Sequence, residues 1–572
     1  MAGADRIPDD QWRLDDKSIE CAEHEPRLAP PTTETAVNLS HERLTRAVYV
    51  VTAEHLGWYL IALYALVTRA IALGARPLDA TQARDALAAL ASGAGLHPSW
   101  VAILQAWIFA AAGATDATSR IVVMLCGLLM VASGFAMRPF IGRAGALAFA
   151  ALIAISPSVT YFSRGGSTAI ASLTFMMIAI AIAQSMRRQP GAIRAAGLGV
   201  AIALWLSADP IGYATAAAMI VSLIVVGLGD AVRLDHRRLR FRIWWERRRA
   251  LVIVCALVAA GLWVFLTTAF FTRSLATVLE YDLRAAFARP SIAFGRAVRR
   301  SIPILVAYEF LLTIFAIVGA FAIVSRRIGD RVAAWSVVWA IVSLLMLATV
   351  GANRSDAVIA ILLPLTILGA CGLDWMHQSE RWNSIRYAVA AGVALTLYVQ
   401  FAVNFVHPAP DTSEAPWRRH ALLFWSDPTT SIQTVRECKR ARNAVSPAGA
   451  SAMIPDDNET PQVRWYLRDF ALTDSPAAAN IVVTIGKTQN GALAGNPDAP
   501  QIGFEEWWTP DFGTLTIAGA IRYLLTQRAW SDVEIRDLEI AIPRPDSTPS
   551  ADREARSRTN RIVIRTGGAP VR

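Results

Sequence analysis

Charge is scarce in this sequence. Asp, Glu, Lys and Arg make up 17% of its 572 residues, and 54% are hydrophobic. An average soluble domain carries about 25% charged residues. So little charge cannot cover a water-facing surface of this size, which points to lipid over part of it. Cysteine is sparse as well. Cys21, Cys126, Cys255, Cys371 and Cys438 lie far apart, three of them in apolar runs. Neither a disulfide framework nor a thiolate metal site is expected from that scatter. Nucleotide-binding and hydrolase signatures are missing: there is no Walker loop, H-E-x-x-H, G-x-S-x-G or glycine fingerprint. The lack of a nucleotide module disfavours an ATP-driven pump. Residues 1–40 are polar and contain no apolar core segment of the kind a signal peptide needs, so the first span is expected to direct membrane insertion.

Long apolar runs are abundant. Ala250 to Phe271 contains no charge and is long enough to cross a bilayer. Spans are expected at 48–73, 118–137, 143–158, 167–185, 194–208, 211–229, 250–271, 303–325, 332–350, 357–373 and 386–406, about eleven in all. The net charge of +10 does not read as nucleic-acid binding, because the arginines cluster between apolar runs and no nucleic-acid signature accompanies them. Arg43 and Arg46 place the start of the first span in the cytoplasm. Alternate counting then puts Arg138, Arg143, Arg187, Arg188, Arg194, Arg326, Arg327, Arg381 and the arginine-rich segment 230–249 inside. The loop 272–301, with six arginines, falls outside and departs from the rule; phosphate binding is one reason for it, and topology already fixed by the flanking spans is the other.

The expected organisation is a disordered cytoplasmic tail over 1–47, a membrane domain over 48–406, an extracytoplasmic α/β domain over 407–545 and a polar tail over 546–572. In the α/β part, 432–444 and 515–527 read as helices, and 479–485 and 538–542 as strands. The fold class is therefore a polytopic α-helical membrane protein with a C-terminal α/β domain. The expected location is the plasma membrane, with the lipid bilayer as solvent.

Chemistry-bearing residues collect in the outer segments. The loop after the first span carries Arg76, Asp79, Arg84 and Asp85, and His97-Pro98 follows. Ser156-Pro157-Ser158-Val159-Thr160-Tyr161-Phe162-Ser163-Arg164 comes after the third span, and Tyr308-Glu309 lies in the eighth. The α/β part carries Val463-Arg464-Trp465-Tyr466-Leu467-Arg468-Asp469-Phe470, Glu506-Trp507-Trp508 and Ile521-Arg522-Tyr523. In this order the motifs resemble the GT-C superfamily of membrane glycosyltransferases. The branch they are most similar to is the flippase-activity-associated one, related to the dolichyl-phosphate-mannose protein mannosyltransferases. The resemblance runs from about Leu60 to Ile542.

That resemblance implies a transferase taking a sugar from a polyprenyl phosphate to an extracytoplasmic glycan or protein. It also implies an acidic general base or metal ligand in the first outer loop, basic residues on the lipid phosphate, a divalent metal as an optional cofactor, and glycan-assembly proteins as partners. The sequence departs from the family at its acids. Thr81 and Gln82 stand where the family has Asp and Glu, Gly165-Gly166-Ser167-Thr168 follow Ser163-Arg164 without an acid, and Ala352-Asn353-Arg354-Ser355-Asp356 replaces a Glu-Lys-x-Pro-Trp type segment.

Asp79 is then the surrogate base and Asp85 its reserve. Arg76, Arg84 and Arg164 are assigned to the phosphate, with His97 and Tyr308 as further binding residues and Glu309 as a site-orienting acid. Each has a plainer reading. Asp79 is a helix N-cap, Arg76 and Arg84 are headgroup anchors, and His97 is a loop histidine. Glu309 pairs with Arg299 or Arg300, and Arg464–Asp469 is core and surface of the α/β domain. The lost acids also admit a non-catalytic lipid-phosphate-binding accessory subunit. A lipid-linked sugar flippase or transporter would show internal repeats, which are not found.

Overall fold

The computed structural model describes residues 53–91, 99–231, 237–268, 294–325, 331–350, 355–379, 382–406 and 429–445. It also describes 449–454, 460–474, 478–485, 503–508, 510–531, 533–542, 560–562 and a few positions between 274 and 283. The expected tail over 1–47, His97, the His407 boundary and the side chains of Arg299 and Arg300 lie outside the described residues.

The helices are α1 (Ala53–Ala70), α2 (Ala80–Leu90), α3 (Trp100–Ala112), α4 (Ile121–Ala136), α5 (Arg138–Ile155), α6 (Pro157–Gly165), α7 (Thr168–Arg188), α8 (Ala192–Ala208) and α9 (Ile211–Ala231). They continue with α10 (Arg237–Thr267), α11 (Phe294–Ala307), α12 (Phe310–Val324), α13 (Arg331–Val350), α14 (Val358–His377) and α15 (Trp382–Phe401). The last three are α16 (Ile432–Ala444), α17 (Pro461–Tyr466) and α18 (Ile517–Thr526). Among the described residues, six helices are long and apolar enough to cross a membrane: Thr118–Ala136, Arg138–Ile155, Thr168–Arg188, Arg248–Thr267, Val358–His377 and Trp382–Val406. Shorter apolar helices stand at Ala192–Ala208, Ile211–Gly227 and Ala334–Met346, where spans were also expected. The chain is a helical membrane protein.

Two expected elements take a different form. The segment after the third span, read as a short outer loop, is the helix α6, buried throughout. Its start and stop signals are local: Ser156 caps the amide of Val159, Pro157 takes the first turn, and Gly166 closes the C-terminus at φ 79°. The eighth span is not straight. Its two halves, Ser301–Ala307 and Phe310–Val324, meet at 97°, and Tyr308 and Glu309 occupy the corner. Glu309 therefore sits at a break, where backbone and side chain find polar partners, and not in the middle of an apolar rod.

The bundle core is built from α4, α5, α6, α7 and α14, with Met130, Phe149, Ile170, Met176 and Ile359 fully buried. A second core joins the α/β region to the segment after α1. Leu78, Ala83, Ala86 and Phe109 pack with Cys438, Val463, Trp465, Phe470, Ile481 and Val483. The stretch read as an outer loop thus packs with the α/β region, because α2 presents a face of small apolar residues that α3 and the α/β region cover together.

The sheet has seven strands in the order β1-β5-β6-β4-β2-β3, with β7 on β6. They are β1 Thr429–Thr430, β2 Ser451–Met453, β3 Ala471–Leu472, β4 Ile481–Ile485, β5 Gly503–Trp508, β6 Val533–Ile542 and β7 Asn560–Ile562. The β2–β3 and β2–β4 pairs are parallel and the others antiparallel. Strand β7 falls in the segment expected to be a polar tail. It is held by backbone pairing of Asn560–Ile562 to the edge left open on β6.

Candidate functional site

The site begins where α1 ends. Asp79 is the N-cap of α2: its Oδ1 accepts from the Gln82 amide at 2.8 Å, and its Oδ2 accepts from the Gln82 side-chain amide at 2.5 Å. Arg76 lies 3.5 Å from the same Oδ2. Burial raises the Asp79 pKa, while Arg76, the Gln82 amide and Arg120 pull it down, and the Asp356 carboxylate adds to the rise. The side chain keeps 27% of its surface open, which limits the rise.

Arg120, at the head of α4 and absent from the sequence-based set, organises this loop. Its Nη1 donates to the carbonyls of Leu73 and Arg76 at 2.9 and 2.7 Å. Its Nη2 donates to the Pro77 carbonyl and to Gln82 Oε1, both at 2.9 Å. The fifth donor, Nε–H, is buried with no hydrogen-bond partner among the described residues. Arg164 on α6 caps the C-terminal end of α1, donating to Thr68 and Ile71 carbonyls at 2.7 Å each and to Ala72 at 3.3 Å. Its guanidinium lies 4.3 Å from the Phe405 ring centroid, as Arg76 does from that of Tyr161.

Arg76, Arg120 and Arg164 line one cleft together with Tyr161, Leu73 and Asn404. Their charges repel one another, so the cleft has an unbalanced positive field suited to an anion. It measures about 20 Å³, and a single water needs about 10–15 Å³, so a larger anion must widen it. Gly165 and Gly166 lie beside the arginines of the cleft. A side chain at Gly165 would meet Arg76 and Gln82 at 3.5 Å, and one at Gly166 would meet Arg120 at 3.3 Å. Gly166, at φ 79°, is also the position where a side chain would strain the backbone.

The α/β domain holds this loop from the other side. The Tyr466 hydroxyl accepts from the Leu78 amide and donates to Asp116 Oδ2, each at 3.1 Å. Trp465 Nε1 donates to Asp116 Oδ1 at 2.8 Å, and Thr430 donates to the Leu78 carbonyl at 2.8 Å. Arg468 stacks on Trp465 and donates to the Ala114 carbonyl at 2.6 Å. The Trp465-Tyr466-Leu467-Arg468 motif is therefore a clamp on the segment 78–116 as well as core of its own domain. Its indole and phenol carry polar ends that, once buried, need partners. Burial and the Asp116 carboxylate push the Tyr466 phenol above its usual range, so it stays a neutral donor.

The other sequence-based candidates lie apart from the cleft. Tyr308 is fully buried and bonds the Tyr523 hydroxyl at 2.6 Å and Gln527 Oε1 at 2.9 Å, beside Trp508 and Trp530. It ties the broken helix to α18. Glu309 accepts from the Ser156 hydroxyl at 2.7 Å and the Ser158 amide at 2.9 Å, so its carboxylate sits at the N-terminus of α6. Arg84 stands exposed on α2 and Asp85 is half-buried one turn beyond Gln82; neither lines the cleft. Asp356, quoted in the sequence only as a remnant, accepts from Ser167 at 2.6 Å and acts electrostatically on Asp79. Arg120, Asp116 and Asp356 were missed because they are ordinary helix-end residues in sequence. The one available signal was an arginine at the start of an apolar span, on the side expected to face outward.

Among the described residues no three of His, Cys, Asp and Glu draw together, and both Asp79 oxygens are engaged by Gln82 and Arg76.

No protein-family model matches this sequence, and no curated protein does. Solved structures give partial likenesses of fold. ArnT from Cupriavidus metallidurans bound to undecaprenyl phosphate is 14% identical over 73% of this chain and 86% of its own, with a TM-score of 0.48. The archaeal oligosaccharyltransferase AglB from Archaeoglobus fulgidus, in complex with an inhibitory peptide and a dolichol-phosphate, is 12% identical over 76% of this chain and 66% of its own, with a TM-score of 0.46. The apo form of the Archaeoglobus fulgidus oligosaccharyltransferase is 11% identical over 77% and 70%, with a TM-score of 0.45.

Proposed function

We propose that this protein binds a polyprenyl-phosphate sugar in the cleft between α1, α4 and α6 and transfers the sugar to a glycan or protein outside the cytoplasm. The observation that carries the reading is the convergence of Arg76, Arg120 and Arg164 beside Asp79, with the Arg120 Nε–H buried and without a hydrogen-bond partner among the described residues. A phosphate monoanion or dianion answers all three charges and that donor. In the step itself, the acceptor's nucleophilic atom bonds to the anomeric carbon as the bond from that carbon to the phosphate oxygen breaks. The acceptor's proton passes to Asp79, and the electron pair of the broken bond leaves on the polyprenyl phosphate, where the arginines meet the added charge. The order of the sequence motifs supports a reading near the flippase-activity-associated branch related to the protein mannosyltransferases. About eleven spans with the C-terminal α/β domain outside the plasma membrane complete the reading.

A second reading has support of its own. Asp79 is already occupied as an N-cap, and four of the five Arg120 donors are taken by its own loop. A protein that holds a lipid phosphate without turnover would look like this. A transfer assay in lipid nanodiscs separates the two, using purified protein, radiolabelled polyprenyl-phosphate sugars and a membrane extract as acceptor. Transfer lost in Asp79→Asn supports the enzyme. Tight donor binding with no transfer under any condition supports the accessory subunit.

A further inference from the structure

At the end of α4 and α7 away from the cleft, the bundle opens into a second cavity. It measures about 650 Å³ and is lined by Leu129, Ala132, Phe140, Ile178, Ile182 and Arg188, among others. That volume falls in the range of about 300–1,000 Å³ typical of ligand sites. The walls run from Leu129 to Ala136 on α4 and from Ile178 to Ser185 on α7, about 10 Å along each helix at 1.5 Å per residue. They are apolar for most of that length. Apart from Ser133, whose hydroxyl donates to the Met130 carbonyl at 2.6 Å, the polar lining residues are Ser185, Arg188 and Gln189. Gly142, at φ 75°, breaks α5 so that its first turn is separate from the rest of the helix, and that turn supplies Pro139 and Phe140 to the lining.

The charge around the mouth is predominantly positive. The sequence contains no Asp or Glu between Asp116 and Asp209, whereas the turns at this end of α4, α5, α7 and α8 carry Arg138, Arg143, Arg187, Arg188 and Arg194. Arg143, Arg187 and Arg188 are exposed. Arg188 donates to the Pro139 carbonyl at 2.7 Å and so is fixed across the opening. The neighbouring α10 adds Arg248, bonded to the Met186 and Arg187 carbonyls, and one acid, Glu246. An apolar slot about two turns deep under an arginine rim matches one chemistry, an acyl chain with an anionic headgroup.

We infer that this cavity is a seat for an anionic phospholipid of the membrane leaflet opposite the cleft, with one acyl chain between α4 and α7 and the headgroup phosphate against Arg188 and Arg138. The seat is separate from the cleft and does not rest on sugar transfer there. The acyl chain leaves lipid and not water, so close packing along the slot supplies the fit, and the arginines supply the preference for negative charge.

Native mass spectrometry of the full-length protein tests it, with phosphatidylglycerol and phosphatidylcholine at equal concentration. Phosphatidylglycerol should be retained in preference. The double variant Arg138→Ala/Arg188→Ala should lose about fivefold in apparent affinity per arginine removed. Ala132→Phe, which fills the slot and leaves every arginine in place, should lower retention as well, while thermal stability in detergent stays at the wild-type value. Equal retention of the two lipids overturns the inference. So does phosphatidylglycerol retention indifferent to Ala132→Phe, which would make the arginines a diffuse basic surface. Undecaprenyl phosphate outcompeting phosphatidylglycerol in the same slot overturns it too, because the cavity would then belong to the polyprenyl lipid.

Discussion

Replacing Asp79 with Asn separates the structural duty of this side chain from its chemical one. Asn is as good an N-cap as Asp, so the bond to the Gln82 amide at 2.8 Å survives. The variant loses the ion pair with Arg76, 3.5 Å apart on partly exposed side chains, worth at most about 1 kcal/mol. It also loses the acceptor for the Gln82 side chain, whose own oxygen is fixed by Arg120, about another 1 kcal/mol. Folding should therefore weaken by only about 1–2 kcal/mol. Removing a general base costs about 10²–10⁴-fold in rate, which is about 3–5 kcal/mol of barrier. The rate effect exceeds the stability effect, so a nanodisc transfer assay run beside a thermal melt reads them apart. Transfer should fall by at least 100-fold (~10²) with the melting curve almost in place. A variant that keeps wild-type transfer within threefold (~0.7 kcal/mol) would refute the role of Asp79 as base.

The raised Asp79 pKa has a direct consequence for pH. Transfer should fail on acidification at a pH above the ordinary aspartate value of about 3.9. As a raised carboxyl, Asp79 stabilises the fold most at low pH, and that contribution is lost as pH rises through its folded pKa. Asp356→Asn removes a neighbouring negative charge and keeps the Ser167 bond, so the acid limb of the pH–rate profile should move to lower pH. Arg120→Lys cannot serve the Leu73, Arg76 and Pro77 carbonyls and Gln82 at once. It should destabilise by about 3–5 kcal/mol and raise amide hydrogen exchange over 71–91. Tyr466→Phe removes the bridge between Leu78 and Asp116; a loss of about 1–3 kcal/mol is expected, with a non-additive double-mutant cycle against Asp116→Asn. Glu309→Gln keeps an acceptor for Ser156 and Ser158, whereas Glu309→Ala strands both donors. The alanine variant should be the less stable by about 1–3 kcal/mol in a thermal melt.

The membrane character and the positions of most helices followed from the sequence alone, because apolar run length and arginine placement are local properties of a chain in lipid. The α/β elements were legible for a similar reason. Ile432–Ala444 has its Ser431 cap and Ile481–Ile485 its β-branched run, and both stand where the pattern put them. Asp79 as an N-cap was readable too, since capping is a four-residue event. What the sequence could not decide is which distant groups share a space. Arg120 meets the Asp79 loop across 38–47 residues of chain, and Tyr466 reaches Leu78 across 388. No period or spacing encodes such meetings; they result from how whole helices pack. The same holds for Tyr308 and Glu309. Their side chains marked them as unusual in an apolar run, but only the 97° corner and the neighbouring α6 and α18 determined that one ties the broken helix to α18 and the other closes a helix N-terminus. A buried polar group is informative in sequence only as a demand for a partner, and tertiary structure alone says which partner meets it.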